Sequence, residues 1–427
     1  MAVTLPIKYF NTFLISEKPY LDMKRFLEIE SDRYPFHIEE SRIRGEFNGT
    51  SVDFGVKAYV VDEEYQEQTR YASMIYSGVF NSKTGVNNTN EFSIGENTIK
   101  DIDIYNGSIQ KLYAENTNLI ILQEDKVSRA LIDKDALFSA DGGGTVTSTK
   151  SVIGQVVPYL GKYGISKHPE SFAVFGDDKY WADKNRGVYC RLAQDGITEI
   201  SDYGLRSFFR RSLPNVERIY GMYDFHHHAY ITSMNYGVVN GDELYDTLNF
   251  DETLNGWVSF HDYAPVFGGG LNGIFYTFKR GELWQHYINE TRNNFYDENY
   301  KSSVTFVVNN SPSSVKYFKT ISYEGSEGWE MTNAYTDTDN AYSIPSYLDP
   351  GYTDPSTGIN YKSGFDKREN KYFSWIRNNN TNKQGEVLDG SSISGIKGFF
   401  NTVTLTNSLS TYQELFAVSH DLEQSST

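Results

Sequence analysis

Short runs of aromatic and β-branched residues, separated by Gly, Asn and Asp, recur along most of this chain and constrain its fold more than any other feature. Residues 52–61, VDFGVKAYVV, show the period of two expected of a strand with one buried face. The chain has 33 Tyr, 27 Phe and 35 Gly, which are the residues that strands and tight turns require. The pattern predicts an all-β protein.

Three stretches look like variations on one unit of three or four short strands joined by turns. They cover residues 108–133, 171–200 and 218–260, and a hairpin follows at 274–287. Meanders that recur every 50 to 60 residues or so indicate propeller blades, because each sheet must bury both faces against its neighbours. We therefore predict a propeller-like body of antiparallel meander blades, although a stacked or open β architecture would give a similar pattern.

Changes in composition divide the 427 residues into four parts. Residues 1–40 contain no Gly, mix aromatic with charged residues and are predicted to form an N-terminal arm, and residues 41–300 are predicted to form the propeller-like body. Residues 301–410 are predicted to form a C-terminal β-sandwich-like domain with a polar insertion at 332–362. Residues 411–427 complete the chain as a tail, so both termini are expected to be extended.

The C-terminal domain should contain at least four strands. Residues 303–308 and 315–323 are predicted to pair with each other, and strands return at 371–377 and 399–406. Residues 301–410 would then form either a second β domain or the closing part of the first.

Charge and cysteine content restrict the partners and the compartment. With 56 acidic and 39 basic residues, the net charge of −17 disfavours binding to free nucleic acid, which depends on Lys and Arg. An acidic wall would still suit a passage through which DNA moves without sticking. The single cysteine, Cys190, cannot form an intramolecular disulfide, which favours synthesis in a reducing compartment.

No segment has the pattern of a leader peptide or a membrane-spanning helix. The N-terminus lacks a basic region followed by an apolar one, and no stretch approaches the roughly 18 apolar residues of a spanning helix. We expect a soluble protein without membrane insertion.

Eight segments, distributed over residues 41–400, together carry a family resemblance. They are YSGVFNSKTGVNNTN (76–90), GSIQKLYAE (107–115), ALIDKDA (130–136), YGISKHPESFA (163–173), DGITEIS (195–201), GWVSF (256–260), YTFKRGELWQH (276–286) and SVKYFKTISYEG (314–325). As a set they resemble structural proteins of phage virions, particularly tail proteins of cyanophage-type myoviruses and muzzle or nozzle proteins of short-tailed phages.

The resemblance implies a virion protein made in the host cytoplasm and located at the tail tube end, nozzle, baseplate or fibre-connecting region. Its implied partners are identical copies in a three- or six-fold ring, other tail proteins and, in passing, genomic DNA. It implies no enzyme activity, no cofactor and no catalytic or metal-binding residues.

The alternative is a tail module that binds or cleaves host glycans. Exposed tyrosines would stack on sugars in such a module, although Tyr-rich loops also form protein interfaces. The candidates are Tyr335, Tyr342, Tyr347, Tyr352 and Tyr361.

Three acidic features of the sequence bear on whether the chain cleaves glycans. Residues 139–146, SADGGGTV, resemble the Asp-box of sialidase propellers, which is a turn motif and not a catalytic one. Asp177-Asp178, or Asp183 with Asp202, could supply the two carboxylates of glycoside hydrolysis. Such pairs arise by chance in a chain with 56 acidic residues, and we expect Asp177-Asp178 to form a turn.

The most conspicuous cluster is His226-His227-His228. On a strand His226 and His228 would share a face, but a zinc site would need further ligands such as His261 or His286. Because local ligands are missing, hydrogen-bonded imidazoles are favoured over a metal site.

Glycine runs and one basic run complete the candidates. The glycines at 142–144 and 268–270 lack the Lys-Ser/Thr of a phosphate-binding loop, so we expect turns or close backbone approach. The basic run at 206–211, RSFFRR, is interpreted as a salt-bridge face, with the lining of a DNA conduit as the alternative.

Overall fold

The fold is almost entirely β in the part of the chain that the computed structural model describes. That part comprises residues 11–15, 36–40, 70–78, 80–81, 83–87, 89, 98–116, 118–138, 144–239, 242–379 and 395–425. The chain divides into two compact units, Met1–Ser259 and Phe260–Thr427. The prediction of an all-β protein is confirmed. None of the described helices has the length and apolar character needed to cross a membrane.

The first unit begins with three antiparallel strand pairs. Its strands are β1 (Asn11–Ile15), β2 (Phe36–Glu40), β3 (Ser73–Ile75), β4 (Phe80–Asn81), β5 (Val86–Asn87) and β6 (Ile99–Asp101). Strand β1 pairs with β2, β3 with β6, and β4 with β5. Most of the predicted arm and the predicted strand at 52–61 lie outside the described residues.

Three four-stranded antiparallel meanders follow, each hydrogen-bonded in chain order. The first contains β7 (Ile109–Glu115), β8 (Asn118–Gln123), β9 (Val127–Phe138) and β10 (Gly144–Pro158); the second, β11 (Ala173–Phe175), β12 (Asp178–Asp183), β13 (Val188–Ala193) and β14 (Gly196–Glu199); the third, β15 (Arg218–Asp224), β16 (Ala229–Val239), β17 (Asp242–Asp251) and β18 (Gly256–His261). The three predicted meanders are confirmed. The predicted bounds of the first meander, 108–133, did not include β10.

Short helical segments connect these sheets. The described part of the first unit contains one α-helix, α1 (Arg206–Ser212). The 3-10 turns are Ile104–Asn106, Pro169–Ser171, Ile200–Asp202 and Leu213–Asn215.

The second meander is buried on both faces. Tyr180 and Tyr189 point into a core shared with the third meander, whereas Trp181 and Cys190 point into a core shared with the first. This alternation follows from the period of two along a strand. Side chains of the neighbouring meanders complete the two cores: Ile120, Leu122 and Val127 on the first side, and Tyr223, Tyr230, Leu248 and Phe250 on the other. Consecutive sheets therefore pack face to face.

A close backbone contact fixes the third meander against the segment that leads into the second. Gly221 on β15 approaches Ser171 so closely that a Cβ atom would lie 1.9 Å from the Ser171 carbonyl oxygen. The Tyr230 hydroxyl donates to the same oxygen at 2.8 Å. The Ser171 hydroxyl accepts the Ala182 N–H at 3.1 Å, so this serine bonds to both sheets. Only glycine fits at position 221.

The substitution Gly221→Ala should separate these sheets and lower the free energy of unfolding by about 2–4 kcal/mol. Gly269→Ala is a matched control, because Gly269 is also a strand glycine but has open space around its Cβ position. Calorimetric melting should show a lower midpoint for Gly221→Ala and little change for Gly269→Ala. Equal melting of the two variants would contradict the packing.

The second unit begins with a three-stranded sheet and a short pair. These strands are β19 (Phe267–Leu271), β20 (Ile274–Lys279), β21 (Glu282–Gln285), β22 (Asn294–Phe295) and β23 (Glu298–Asn299). Of the two expectations for glycines 268–270, a turn or a close backbone approach, the turn is wrong, because all three pair with β20 inside β19. The turn falls instead at Asn272 and Gly273, which both have positive φ.

Ten further strands form two sheets and a hairpin. They are β24 (Ser302–Val308), β25 (Lys316–Gly325), β26 (Glu330–Tyr335), β27 (Tyr352–Thr353), β28 (Asn360–Tyr361), β29 (Asp366–Arg368), β30 (Lys371–Trp375), β31 (Ile396–Gly398), β32 (Asn401–Asn407) and β33 (Leu415–Gln424). One sheet has the order β24-β32-β26, and the other has the order β29-β30-β25-β31 with β33 on β25. Strands β27 and β28 form the hairpin.

The two sheets share one hydrophobic core, as the layers of a sandwich do. Phe318 and Ile321 from β25 meet Met331 from β26 and Leu405 from β32 in this core. The predicted pairing of 303–308 with 315–323 is wrong, because these strands belong to different sheets. Strand β24 pairs with β32, and β25 is already occupied by β30, β31 and β33.

Two segments predicted to lie outside the sheets contribute strands. Residues 332–362, predicted as a polar insertion, contain the end of β26 and the β27–β28 hairpin. Residues 411–427, predicted as a tail, contain β33, which pairs with β25 from Lys316 to Gly325. The four-part division of the chain stays a prediction.

His420 on β33 makes the stability of the second unit sensitive to pH. Burial lowers the pKa of His420 from its ordinary value of 6.5 to about 4, and the Phe306 ring lies 6.0 Å away. Between these two values the unfolded chain binds the proton that the folded chain excludes, so stability is lost as pH falls through this window.

The melting midpoint of the wild type should therefore fall more steeply between pH 6.5 and pH 4.5 than that of His420→Phe. The free energies of unfolding of the two proteins should differ in their pH dependence by at most about 1.4 kcal/mol per pH unit. Parallel pH profiles for the two proteins would show that His420 is not the responsible group.

Candidate functional site

Two of the four carboxylates considered for catalysis, Asp183 and Asp202, have structural partners. Asp183, fully buried at the end of β12, accepts the N–H groups of Gly164 at 3.1 Å and Arg186 at 3.3 Å, and the Ser166 hydroxyl at 3.0 Å. Burial raises the pKa of Asp183 despite these bonds. The exposed Asp202 forms an ion pair with Arg206 at 3.2 Å. Both carboxylates therefore have roles in holding local structure.

Asp177 and Asp178 border an open cleft of about 490 Å³. Asp177 lies in the predicted turn, and Asp178 begins β12. Burial, followed by the nearby Glu252 carboxylate, raises the pKa of Asp178. Arg191 donates to Glu252 at 3.0 Å and lies 3.7 Å from Asp195. These contacts tie β13 to the β17–β18 turn of the third meander and form an ion-pair cluster.

The three consecutive histidines lie in the turn between β15 and β16, and not on a strand as considered above. The register brings Asp224 opposite Ala229 and leaves the histidines in the connecting loop, where His228 has a positive φ of 52°. The His226 N–H donates to Asp224 at 2.8 Å. Among the described residues, no group of three or more His, Cys, Asp or Glu is placed to hold a metal ion.

The basic run forms α1, which is anchored by an aromatic residue. Phe209 is fully buried and contacts Tyr189 and Trp257, whose ring centroids lie 4.8 and 4.6 Å away. Arg206 forms an ion pair with Asp202. The interpretation of the whole run as a salt-bridge face stays a prediction. The Asp-box-like motif lies mostly outside the described residues, since these resume at Gly144 in β10.

A cleft of about 830 Å³ in the second unit gathers aromatic and charged side chains between the β27–β28 hairpin and strands β29 and β30. Tyr352 and Tyr361 lie directly opposite each other in the hairpin and are 64% and 41% exposed. Trp375 is 40% exposed, and its ring is 5.7 Å from that of Phe373 at an interplanar angle of 83°. The cleft thus presents several accessible ring faces.

Cations outnumber carboxylates around this cleft. Lys362, Arg368 and Arg377 line it together with Asp349 and Asp366. Each cation lies over a ring: Lys362 is 5.2 Å from the Tyr347 centroid, Arg368 is 5.7 Å from that of Phe373, and Arg377 is 6.0 Å from that of Tyr342. Within the described residues, none of the three cations forms an ion pair with a carboxylate.

Sequence reasoning identified part of this cleft. Of the five tyrosines considered for sugar binding, Tyr352 and Tyr361 line it, Tyr342 and Tyr347 support its cations, and Tyr335 lies in β26. It missed Phe373 and Trp375. The signal was the alternation in KYFSW (371–375). Tyr372 points into the core, whereas Phe373 and Trp375 point to the opposite face of the strand.

Comparison with known proteins relates the chain to a class of phage protein. Residues 290–379 match the family model of the Crassvirus muzzle protein C-terminal domain. This segment contains β22 to β30 and all the cleft residues named above. The resemblance to phage muzzle proteins is confirmed.

A particular relative is the muzzle protein of Bacteroides phage crAss001, which is 24% identical to this chain over 270 residues. The match covers 57% of the chain and 18% of the relative, so the chain matches about a fifth of the length of that curated protein.

Proposed function

We propose that this chain is a structural component of a phage tail, located in the virion at a muzzle or nozzle. It acts by assembly with identical copies in a symmetric ring and with other tail proteins, and it has no catalytic role. The similarity to muzzle proteins, at residues 290–379 and over 57% of the chain, carries this proposal. The baseplate and the fibre-connecting region are the other tail positions to which such a protein could belong.

The meanders of the first unit suit a structural role. Because the second meander is buried on both faces, its neighbours cannot slide without exposing two cores. We infer that these sheets are blades of a propeller-like body, which would give each copy a fixed shape for assembly. The net charge of −17 would let genomic DNA pass without binding tightly.

An apolar row on the second unit is a suitable contact for a neighbouring virion subunit. Phe267, Phe278 and Leu283 are paired across β19, β20 and β21, and they are 58%, 41% and 59% exposed. On the opposite face of the same sheet, Phe275 and Thr277 are buried. Contiguous apolar surface of this kind is typical of protein interfaces. We infer that a second copy covers the row in the ring.

The proposal predicts that the purified chain forms an oligomer and that Phe278→Asp weakens it, because a charge would be buried in the interface. Light scattering coupled to size exclusion should give a multiple of the monomer mass for the wild type and a shift towards monomer for Phe278→Asp. Leu160→Asp is the matched control, since Leu160 is 93% exposed in the other unit, and it should leave the oligomer unchanged. A wild type that stays monomeric at high concentration would contradict assembly through identical copies.

A further inference from the structure

We propose that the cleft between the β27–β28 hairpin and strands β29 and β30 binds an acidic saccharide. This binding activity goes beyond the structural role and does not depend on it. A volume of about 830 Å³ lies within the range of small-ligand sites and is large enough for a few sugar rings.

The aromatic walls of the cleft favour a sugar over an apolar peptide. The faces of aromatic rings carry partial negative charge, which attracts the C–H groups on one face of a pyranose ring. Trp375 and the two hairpin tyrosines leave such faces accessible. Among the described residues, no Leu, Ile, Val or Met lines the cleft, so an aliphatic side chain of a peptide would find few partners there. A sugar matches this mixture of rings and hydrogen-bonding groups.

Among the five tryptophans, Trp375 is suited to ligand contact. Trp181 and Trp329 are buried, at 0% and 7% exposure, whereas Trp375 is 40% exposed. The perpendicular Phe373 ring supports it, and β30 is held in the sheet by β25 on one side and β29 on the other. The backbone that carries the Trp375 ring is therefore held in place without a ligand.

The charges favour an acidic sugar over a neutral one. Three cations and two carboxylates give the lining a net charge of +1, whereas the whole chain carries −17. Arg368 and Arg377 have planar guanidinium groups that can bind a carboxylate through two parallel hydrogen bonds. Both guanidinium groups contact rings, and among the described residues neither forms an ion pair with a carboxylate.

The hairpin wall of the cleft is preorganised. Asp349 accepts the Gly351 N–H at 2.7 Å, and Asn360 donates to the Pro350 carbonyl at 2.9 Å and to Thr353 at 3.2 Å. Farther along the loop, hydrogen bonds from Ser356 and Thr357 lower the pKa of Asp354 to about 2. These bonds hold Tyr352 and Tyr361 in place, so little ordering is needed when a ligand binds.

Calorimetric titration of the full chain tests the proposal directly. The acidic probes are 3′-sialyllactose and tetragalacturonic acid, and lactose is the neutral counterpart of the first. At least one acidic probe should bind saturably and change the tryptophan fluorescence, and lactose should bind at least tenfold more weakly than 3′-sialyllactose if that is the probe bound. No saturable binding of either acidic probe would overturn the proposal.

Variants locate the binding. Trp375→Ala should lower the affinity for the acidic probe at least tenfold. Trp375→Phe should retain most of that affinity because a ring remains. Arg377→Gln should reduce the preference for the acidic probe. Tyr105→Ala, which removes a 91% exposed ring in the other unit, should have no effect. Melting curves for each variant separate loss of binding from loss of folding.

Two further outcomes would contradict the binding of an acidic saccharide in this cleft. If Trp375→Ala binds the probes as the wild type does, the site lies elsewhere. If the acidic probes do not bind and Trp375→Ala instead shifts the oligomer towards monomer, the cleft is a protein interface. Since probe binding is measured separately from oligomer mass, either proposal can fail while the other stands.

Discussion

The burial of the second meander on both faces is the constraint on which the first unit depends. Because side chains alternate along β12 and β13, the same two strands supply Tyr180 and Tyr189 to one core and Trp181 and Cys190 to the other. A sheet of this composition would expose large aromatic surfaces if it were alone. The neighbouring meanders are therefore required for its stability, and their order along the chain becomes their order in space.

Several polar side chains at the margins of these cores pair with neighbouring sheets or with the segments that connect them. Lys179 is buried and pairs with Glu115 of the first meander, and the Trp181 indole donates to the Gly164 carbonyl at 2.8 Å. Arg191 of the second meander donates to Glu252, which lies in the β17–β18 turn of the third meander, at 3.0 Å. Unpaired buried charges would be costly, so these contacts favour one arrangement of the sheets over others. Burial also raises the pKa of the Cys190 thiol well above its ordinary value, which makes it a packing group and not a nucleophile.

The sequence patterns predicted the features that depend on residues close together in the chain. Alternating aromatics and turn residues located most strands of the three meanders, and the separation of 303–308 from 315–323 was visible as two strands. The sequence did not show which strands pair, because β24 pairs with β32, about a hundred residues later in the chain. The glycines of β19 and the histidines after β15 show the same limit, because strand register determines where each turn falls. In the cleft, the hairpin tyrosines were recognisable, but only the fold brings Trp375 and Arg377 to them.

The structure thus combines a layered body suited to assembly with an aromatic, cationic cleft in the part matched to muzzle proteins. We propose that this chain is built into a phage tail. A symmetric cryo-electron microscopy reconstruction of particles whose genome encodes the chain would locate it. We expect density for its three meanders in a ring of identical copies at the muzzle or nozzle of the tail. Complete particles that lack this density, and lack the chain among their proteins, would contradict it.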